Sequence, residues 1–268
     1  MKYKYAAMCV ALKNDLCLEE SIERLFTQCV SKVLIVSPTT YWATGEPQSI
    51  SDLCELQAIA ARTGAEIVSK HYPTEGDLGA LGAEGAYRNC GIEMLTEDAG
   101  VDYVVTLDAD ELWGLGALDH IDGLADGLAG TKITLPAIPV IGVPGLPVEG
   151  ATDSILVATS RGVRFTWGRA VDASRELKGN QPVIHFSATR KTIEEVVTKH
   201  RASAHYADPT YDFEGWIANT LPTIKVGSTD VHMYLSSPNI WPAVRAWTAE
   251  EISTIPKTLI KHIHGNLH

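Results

Sequence analysis

The stretch YVVTLDADE, residues 103–111, joins an apolar run directly to three carboxylates. The apolar part has the length and the β-branched content of a buried strand. Residues two apart on an extended chain share a face, so Asp108 and Asp110 can aim at one cation beyond the strand end. Glu111 adds a third acid, and clustered carboxylates are costly without a cation. The pattern therefore predicts a Mg²⁺ or Mn²⁺ site, although an acidic turn without a metal would give the same pattern.

The chain before this stretch alternates strand and helix patterns. Apolar runs predict strands at 5–12, 32–37, 66–70 and 103–107, and helical spacing of apolar residues predicts helices at 18–30, 49–62 and 83–95. Continuous apolar strands between amphipathic helices indicate an α/β fold, in which helices cover both faces of a mostly parallel, Rossmann-like sheet. Ligands of such sheets bind at the carboxyl ends of the strands, where the acidic stretch lies.

The C-terminal half is less regular. Its patterns predict a helix at 117–128, an interrupted or edge strand at 132–143, a Pro/Gly-rich loop at 144–154, a short strand at 183–186 and helices at 192–205 and 248–263. Pro136 and Pro139 interrupt the first strand, because proline cannot donate to a sheet ladder. Thr248 and Glu251 have the spacing of a capping box for the last helix, with a kink expected at Pro256.

The composition predicts a soluble, cytoplasmic protein built as one large α/β domain with at most a modest extension. Its 268 residues carry a formal charge of −11, which argues against generic binding of duplex phosphates. No window approaches the roughly 18 apolar residues of a membrane span, and the start does not resemble a signal peptide. The five cysteines include no CxxC pair, so we expect reduced core residues and neither a disulfide frame nor a zinc site.

Four segments, in order, resemble the GT-A fold glycosyltransferases of the family-2-like type. ALKND at 11–15 is similar to their "xxKNE" turn after the first strand, and AYRNCG at 86–91 is similar to their "xxARNxG" helix. LDADE at 107–111 resembles the DADE metal motif. HFS at 185–187, with Arg190, Glu194 and Lys199, resembles the C-terminal "HxxxxR…E…K" segment of some members. The resemblance spans residues 5–200.

The resemblance implies roles for residues along this span. Asp110 would hold the metal, joined by Asp108 directly or through water, and His185 would be the third protein ligand. The implied donor contacts are Leu12, Lys13, Asn14 and Asp15 for the base and ribose, Arg88 with Asp108, Ala109 and Asp110 for the phosphates or sugar, and Arg190 and Lys199 for the diphosphate. A guanidinium fork suits the last of these roles.

The resemblance also implies how the chain is divided. Residues 1–205 would form the GT-A domain, with a donor half at 1–115 and an acceptor half at 116–205, and residues 206–268 would be a helical extension packed on the same domain. One place departs from the family pattern. Many relatives carry an aspartate after the second strand, within "DxxSxD", whereas this chain has SPTT at 37–40 and then a long insert. Asp52 is the candidate substitute.

An inverting enzyme needs a carboxylate base for the acceptor hydroxyl. The sequence offers Asp153 as the first candidate and Asp172 as the second, with Glu149 and Glu176 as further acids in the same half of the chain. The Pro/Gly-rich loop at 144–154 is interpreted as a lid that excludes water.

The predicted function is a metal-dependent glycosyltransferase, a hexosyl- or pentosyltransferase, that takes a sugar from a nucleotide-sugar donor, with UDP as the expected nucleotide. The acceptor stays open, and it includes a modified DNA base, because some viral members of the family act on one and residues 257–268 are rich in lysine and histidine. One alternative is a non-catalytic member that binds a nucleotide or carbohydrate. Another is a sugar nucleotidyltransferase, although the turn at 13–15 lacks the glycines of those enzymes.

Overall fold

The computed structural model describes residues 1–13, 15–28, 30–41, 45–72, 79–142, 145–149, 155–190, 192–201, 212–229, 231 and 244–255. The contacts within the chain divide it into two compact units. Unit 1 comprises Met1–Pro136 and Ser154–Pro182, and unit 2 comprises Ala137–Asp153 and Val183–His268. The chain thus leaves unit 1 after Pro136 and returns to it at Ser154.

Unit 1 contains β1 (Tyr5–Val10), α1 (Leu18–Thr27), β2 (Val33–Pro38), α2 (Ile50–Thr63), β3 (Glu66–Lys70), α3 (Gly79–Ala99), β4 (Tyr103–Asp108), β5 (Glu111–Leu112), α4 (Ala117–Leu124) and β6 (Thr131–Leu135). Unit 2 contributes β7 (Ala137–Gly142) and β8 (Leu146–Pro147), and the chain then returns to unit 1 for β9 (Ile155–Ser160), β10 (Arg164–Trp167), β11 (Ala170–Asp172) and β12 (Arg175–Lys178). Unit 2 ends with β13 (Val183–Thr189), α5 (Ile193–Arg201), α6 (Phe213–Asn219), a 3₁₀ turn at Leu221–Thr223 and α7 (Ala249–Ser253).

Unit 1 is built on a seven-stranded sheet with the order β12-β6-β9-β4-β1-β2-β3. Strand β9 runs antiparallel to both of its neighbours, and every other pairing is parallel. The chain moves one way across the sheet from β1 to β3 and then crosses back to β4. Right-handed crossovers therefore place α1 and α2 on one face and α3 on the other. The predicted α/β architecture with a mostly parallel sheet is confirmed.

Strand alternation sends one set of side chains from the sheet towards α3. Ala6, Met8 and Val10 of β1 share a buried cluster with Tyr87 and Leu95 of α3. Gly91 marks the closest approach of the helix, since a Cβ there would lie 2.7 Å from Met8 Cε and 3.2 Å from Val36 Cγ2. The glycine of the AYRNCG segment thus has a packing role, because it brings one face of α3 down onto the sheet.

Unit 2 is held by a smaller core. Strand β7 pairs in parallel with β13 and antiparallel with β8. Ile141, Val196, Phe213 and Trp216 belong to one buried cluster that joins these strands to α5 and α6. The predicted capping box is present at the start of α7, where the Thr248 hydroxyl accepts from the Glu251 N–H and the Glu251 carboxylate accepts from the Thr248 N–H.

The elements differ from the sequence expectation mainly in the C-terminal half. The predicted strand at 132–143 is two strands, β6 and β7, which part at Pro136 and belong to different units. The predicted last helix ends at Ser253, before Pro256, and residues from 256 onward lie outside the described part of the chain. Strands β9 to β12 were not predicted. The side chains of β10 to β12 are mostly exposed, so these strands lack the apolar runs that identified the others.

Of the helices that the structure describes, none combines the length and the apolar composition needed to cross a bilayer.

The close approach at Gly91 makes a prediction about stability. Gly91→Val should lower the free energy of unfolding by about 2 kcal/mol, because the added methyl groups have no space between α3 and the sheet. Gly123→Val is the matched control, since Gly123 is exposed in α4 and a Cβ there would meet nothing within 4 Å. Its expected change is within about 0.5 kcal/mol. Urea unfolding followed by circular dichroism measures both, and equal losses would contradict the packing role of Gly91.

Candidate functional site

The acidic motif lies at the carboxyl end of β4, and α1 fixes the turn that carries it. Asp108 is the last residue of β4 and Glu111 begins β5. The Ser21 hydroxyl donates to the Glu111 carbonyl at 2.5 Å, and the Cys17 thiol lies 3.9 Å from the Ala109 carbonyl. The start of α1 therefore lies beside the motif, as the doubly wound topology predicts for the loop after the first strand.

The three carboxylates of the motif are buried to different degrees. Glu111 is fully buried and Asp110 is 6% exposed, whereas the Asp108 side chain is 24% exposed. The Asp108 N–H donates to Glu111 Oε2 at 3.1 Å, so Glu111 turns back and supports the end of β4. Among the three, Asp108 presents its carboxylate most openly.

Arg88 of α3 binds Asp108 from the covered face of the sheet. The side chain is 2% exposed, and its Nη2 donates to Asp108 Oδ1 at 2.8 Å and to Glu84 Oε1 at 2.6 Å. The AYRNCG and LDADE segments, 20 residues apart, therefore meet in an ion pair. The sequence predicted that Arg88 lies near the donor phosphates or sugar, and the structure places it against a predicted metal ligand.

A second arginine, which the sequence did not single out, reaches the same carboxylates. Arg169 lies between β10 and β11, and its Nη2 is 2.7 Å from Asp108 Oδ2 and 2.5 Å from Glu111 Oε1. The side chain is 20% exposed. No local signal identifies this residue, because it follows a short strand with mostly exposed side chains and approaches Asp108 only through the tertiary fold.

Helix α3 holds the hairpin that carries Arg169. Asn89 Nδ2 donates to the Phe165 carbonyl at 2.9 Å, and Asn89 Oδ1 accepts from the Phe165 N–H at 2.8 Å. The Gly168 N–H donates to the Leu81 carbonyl at 2.8 Å. A Cβ at Gly85 would lie 3.3 Å from the Trp167 Cα, so glycine permits this close approach. The neighbours Arg88 and Asn89 thus secure Asp108 and the Arg169 hairpin respectively.

The two arginines keep Asp108 charged. Burial acts to raise the pKa of Asp108, but Arg169 and Arg88 outweigh it and hold that pKa below its usual value. Burial acts to lower the pKa of Arg169, whereas Asp108 and Glu111 raise it above its usual value. The cost of clustering these acids is therefore offset within unit 1 by side-chain cations.

The loop after β1 and the insert after β2 meet at the same edge of the sheet. Gln48 Nε2 donates to the Leu12 carbonyl at 2.5 Å and to the Ser37 hydroxyl at 2.9 Å. Asp52, the candidate base or ribose ligand, instead accepts from the Tyr41 hydroxyl at 2.6 Å. Gln48 therefore joins the ends of β1 and β2 near the place where relatives would carry an aspartate, and the sequence analysis did not anticipate it.

The remaining residues predicted to contact the base and ribose lie at the start of this loop. Lys13 and Asp15 are half-buried, and Asp15 Oδ1 accepts from the Leu16 N–H at 2.8 Å. Asn14 lies outside the described residues.

The residues predicted from the C-terminal segment belong to unit 2. His185 is half-buried on β13. Arg190 Nη1 and Lys199 Nζ both donate to the Phe186 carbonyl, at 2.8 and 3.3 Å. Asp108 and Asp110 belong to unit 1, so the roles of these three residues towards a metal or diphosphate stay predictions.

The candidate bases are dispersed. Asp153 lies outside the described residues. Asp172 is exposed on β11, next to Val171, which packs on the buried cluster beneath α3. Because adjacent strand residues face opposite ways, Asp172 points away from that cluster. Glu149 is paired with Arg245 and Glu176 with Lys132, at 2.8 and 3.4 Å, so these two acids have structural partners.

The donor set fits a hard divalent cation in its chemistry. Asp108 and Asp110 supply carboxylate oxygens, the ligands that Mg²⁺ and Mn²⁺ prefer, and Asp108 is partly open to solvent. Both oxygens of Asp108 lie against arginine nitrogens, so an ion that binds through this residue meets positive charge already in place. Within the described ranges, no group of three or more His, Cys, Asp and Glu side chains is arranged to hold a metal ion.

The sequence matches no protein-family model and no curated protein. The fold is similar to glucosyl-3-phosphoglycerate synthase from Mycobacterium tuberculosis, in complex with Mg²⁺ and UDP, with a TM-score of 0.42 and 14% identity over 92% of this chain and 88% of that one. For S. aureus TarS the TM-score is 0.42, with 11% identity over 73% of this chain and 39% of that one.

A third similar structure is the inositol-1-phosphate CTP transferase from T. maritima. The TM-score is 0.37, with 7% identity over 74% of this chain and 96% of that one.

The Asn89 contacts predict a coupling between α3 and the hairpin. Asn89→Ala should lower the free energy of unfolding by about 2 kcal/mol, because two hydrogen bonds to the Phe165 backbone are lost. Hydrogen exchange at the Phe165 amide should accelerate together with this loss. Asn219→Ala is the matched control, since its side chain makes only a local, exposed bond to the Gly215 carbonyl, and we expect a change within about 0.5 kcal/mol. Unchanged exchange at Phe165 in Asn89→Ala would show that Asn89 does not hold the hairpin.

Proposed function

We propose that the chain is a metal-dependent glycosyltransferase of the GT-A type, which moves a sugar from a nucleotide-sugar donor to a hydroxyl acceptor. The observation that carries this proposal is the ion pair between Arg88 and Asp108. Two segments that resemble one family's motifs were identified separately in the sequence, and their key side chains are 2.8 Å apart at the carboxyl end of β4. The pair compensates buried charge, and it joins the two motif segments at the sheet edge where doubly wound folds bind their ligands.

The surroundings of the pair support the same proposal. The sheet order reverses next to β1 and β4, and this is the position where doubly wound sheets bind their ligands. The start of α1, close behind the predicted base- and ribose-binding loop, touches the Ala109 carbonyl through Cys17. A nucleotide placed over the ends of β1 and β2 would thus extend its phosphates towards Asp108 and Asp110.

In the proposed mechanism Asp108 and Asp110 hold the divalent ion, with His185 as the further ligand that the resemblance implies. The ion supplies neutralisation of the charge that develops on the leaving nucleoside diphosphate. Arg88 fixes the Asp108 carboxylate, because it is itself held by Glu84 and has almost no exposed surface. Glu111 fixes the turn through the Asp108 N–H. These contacts orient the donor side of the site before any ligand arrives, which favours electrostatic stabilisation.

The donor and acceptor are proposed only by class. UDP-sugars are the first donors to test, because the family that the motifs resemble uses them widely. Gln48 lies between the Leu12 carbonyl and Ser37 at the position where an aspartate was expected, so the base contact differs from the common pattern. The acceptor is a hydroxyl compound, for which soluble metabolites and modified DNA bases are both to be tested. The predicted bases, Asp153 first and Asp172 second, are tested by the same assay.

The metal ligands make the sharpest test. With Mn²⁺ and a panel of nucleotide sugars, the wild-type chain should release a nucleoside diphosphate, and Asp110→Asn should lower that rate at least about 100-fold by removing a metal-binding carboxylate. Asp119→Asn is the matched control, because Asp119 is an exposed acid in α4, and its rate should equal that of the wild type. Circular dichroism and thermal unfolding confirm that both variants fold.

The competing functions differ in their substrates and products. If the chain is incubated with a nucleoside triphosphate and a sugar phosphate, release of pyrophosphate would identify a nucleotidyltransferase. Tight binding of UDP by calorimetry without turnover would identify a binding protein. An Asp110→Asn rate equal to that of the wild type would refute the proposed metal site even if a glycosyltransferase activity were found.

A further inference from the structure

The two arginines on Asp108 are held in different ways. Arg88 Nη2 makes aligned hydrogen bonds to Asp108 and Glu84, within a fully covered part of α3. Arg169 Nη2 is as close to its carboxylates, at 2.7 and 2.5 Å, but none of the Arg169 nitrogens makes an aligned hydrogen bond. The three nitrogens of Arg169 are buried, so the 20% exposure of its side chain lies on its carbon atoms. Of the two contacts, the one from Arg169 is the easier to break, because it lacks an aligned hydrogen bond.

Acidic groups surround the two arginines. The guanidiniums contact Glu84, Asp108 and Glu111, and the nearby Asp110 acts to raise the pKa of Asp108. The Nε and Nη1 atoms of Arg88 are buried and have no hydrogen-bond partner. The contacts within the cluster therefore leave some of its polar groups unsatisfied.

A divalent ion and Arg169 would compete for Asp108, because each is a cation that the same carboxylate attracts. An ion bound at Oδ2 would lie about 2 Å from it. Arg169 Nη2 already lies 2.7 Å from that oxygen. Two cations at such separations repel strongly, and the repulsion is larger in a partly buried site than in water. Arg169 keeps a second carboxylate, Glu111, to which it can remain bound when it leaves Asp108.

We propose that Arg169 is a built-in counter-cation for Asp108, which a divalent metal ion displaces when it binds. The proposal rests on the metal requirement of the proposed function, but it needs neither a donor nor turnover. Without metal, Arg169 stabilises the acid cluster. Because the metal ion has to overcome the same interaction, Arg169 also lowers the affinity of the cluster for metal. The β10–β11 hairpin, anchored through Asn89 and Gly168, keeps the arginine within reach of Glu111 after the exchange.

The test is a titration with Mn²⁺ alone, in which free Mn²⁺ is followed by electron paramagnetic resonance. Arg169→Gln removes the competing charge and should bind Mn²⁺ about tenfold more tightly than the wild type. Arg169→Lys keeps a positive charge near Asp108, so its affinity should stay within about twofold of the wild type. Arg164→Gln, on the same hairpin but with a side chain 72% exposed, should bind as the wild type does.

The outcomes separate cleanly. Tighter binding in the glutamine variant and wild-type binding in the lysine variant support the proposal. Unchanged or weaker binding in the glutamine variant overturns it, and so does equal tightening in both, because charge would then not be the cause. Asp110→Asn should abolish the Mn²⁺ response, and a retained response would place the ion elsewhere and overturn the proposal.

A measurement on the wild-type chain covers the case in which Arg169→Gln does not fold. The arginine Nε–H resonance that disappears in Arg169→Lys belongs to Arg169, and it should shift when Mg²⁺ is added, whereas the Arg164 resonance should not. An Arg169 resonance that does not respond to saturating Mg²⁺ overturns the proposal. If Mn²⁺ binds as expected but no nucleotide sugar is turned over, the glycosyltransferase proposal fails and the counter-cation proposal stands.

Discussion

The structure of unit 1 depends on the compensation of buried charge at the end of β4. Asp108 ends the strand and Glu111 follows in the next turn. Each of these two carboxylates contacts an arginine. Arg88 comes from α3 and Arg169 from the β10–β11 hairpin, so one carboxylate links β4 to the preceding helix and to a hairpin much later in the chain. Breaking a buried pair of this kind is strongly destabilising, because the remaining charge stays buried without a partner.

Helix α3 makes this arrangement possible because residues close together in its middle contact different parts of unit 1. Arg88 pairs with Asp108, Asn89 binds the backbone of β10, and Gly91 allows the helix to lie close to Met8 of β1. The AYRNCG segment, which resembles a family motif, therefore has a structural role in this chain. It positions the end of β4, the β10–β11 hairpin and the contact between α3 and the sheet. The end of β4 and the hairpin together supply the charged cluster.

The functional proposals both derive from this cluster. The glycosyltransferase proposal uses the carboxylates of Asp108 and Asp110 and the position of the cluster where the sheet order reverses. The counter-cation proposal uses the contrast between a hydrogen-bonded Arg88 and an Arg169 that is close but not aligned. Gln48 joins the ends of β1 and β2, and it lies within the insert where the chain departs from the pattern of the family that it resembles.

The sequence by itself determined the parallel strands β1, β2 and β4, because each is a nearly continuous apolar run that the fold buries. It also identified Asp108, Asp110 and Arg88, because each lies in a short motif that can be recognised from neighbouring residues alone. Only the tertiary structure decided that β6 and β7 belong to different units and that Arg169 completes the cluster. The contact between Arg169 and Asp108 joins residues that are far apart in the chain. The short, exposed strands on either side of Arg169 have no hydrophobic periodicity from which their position could be predicted.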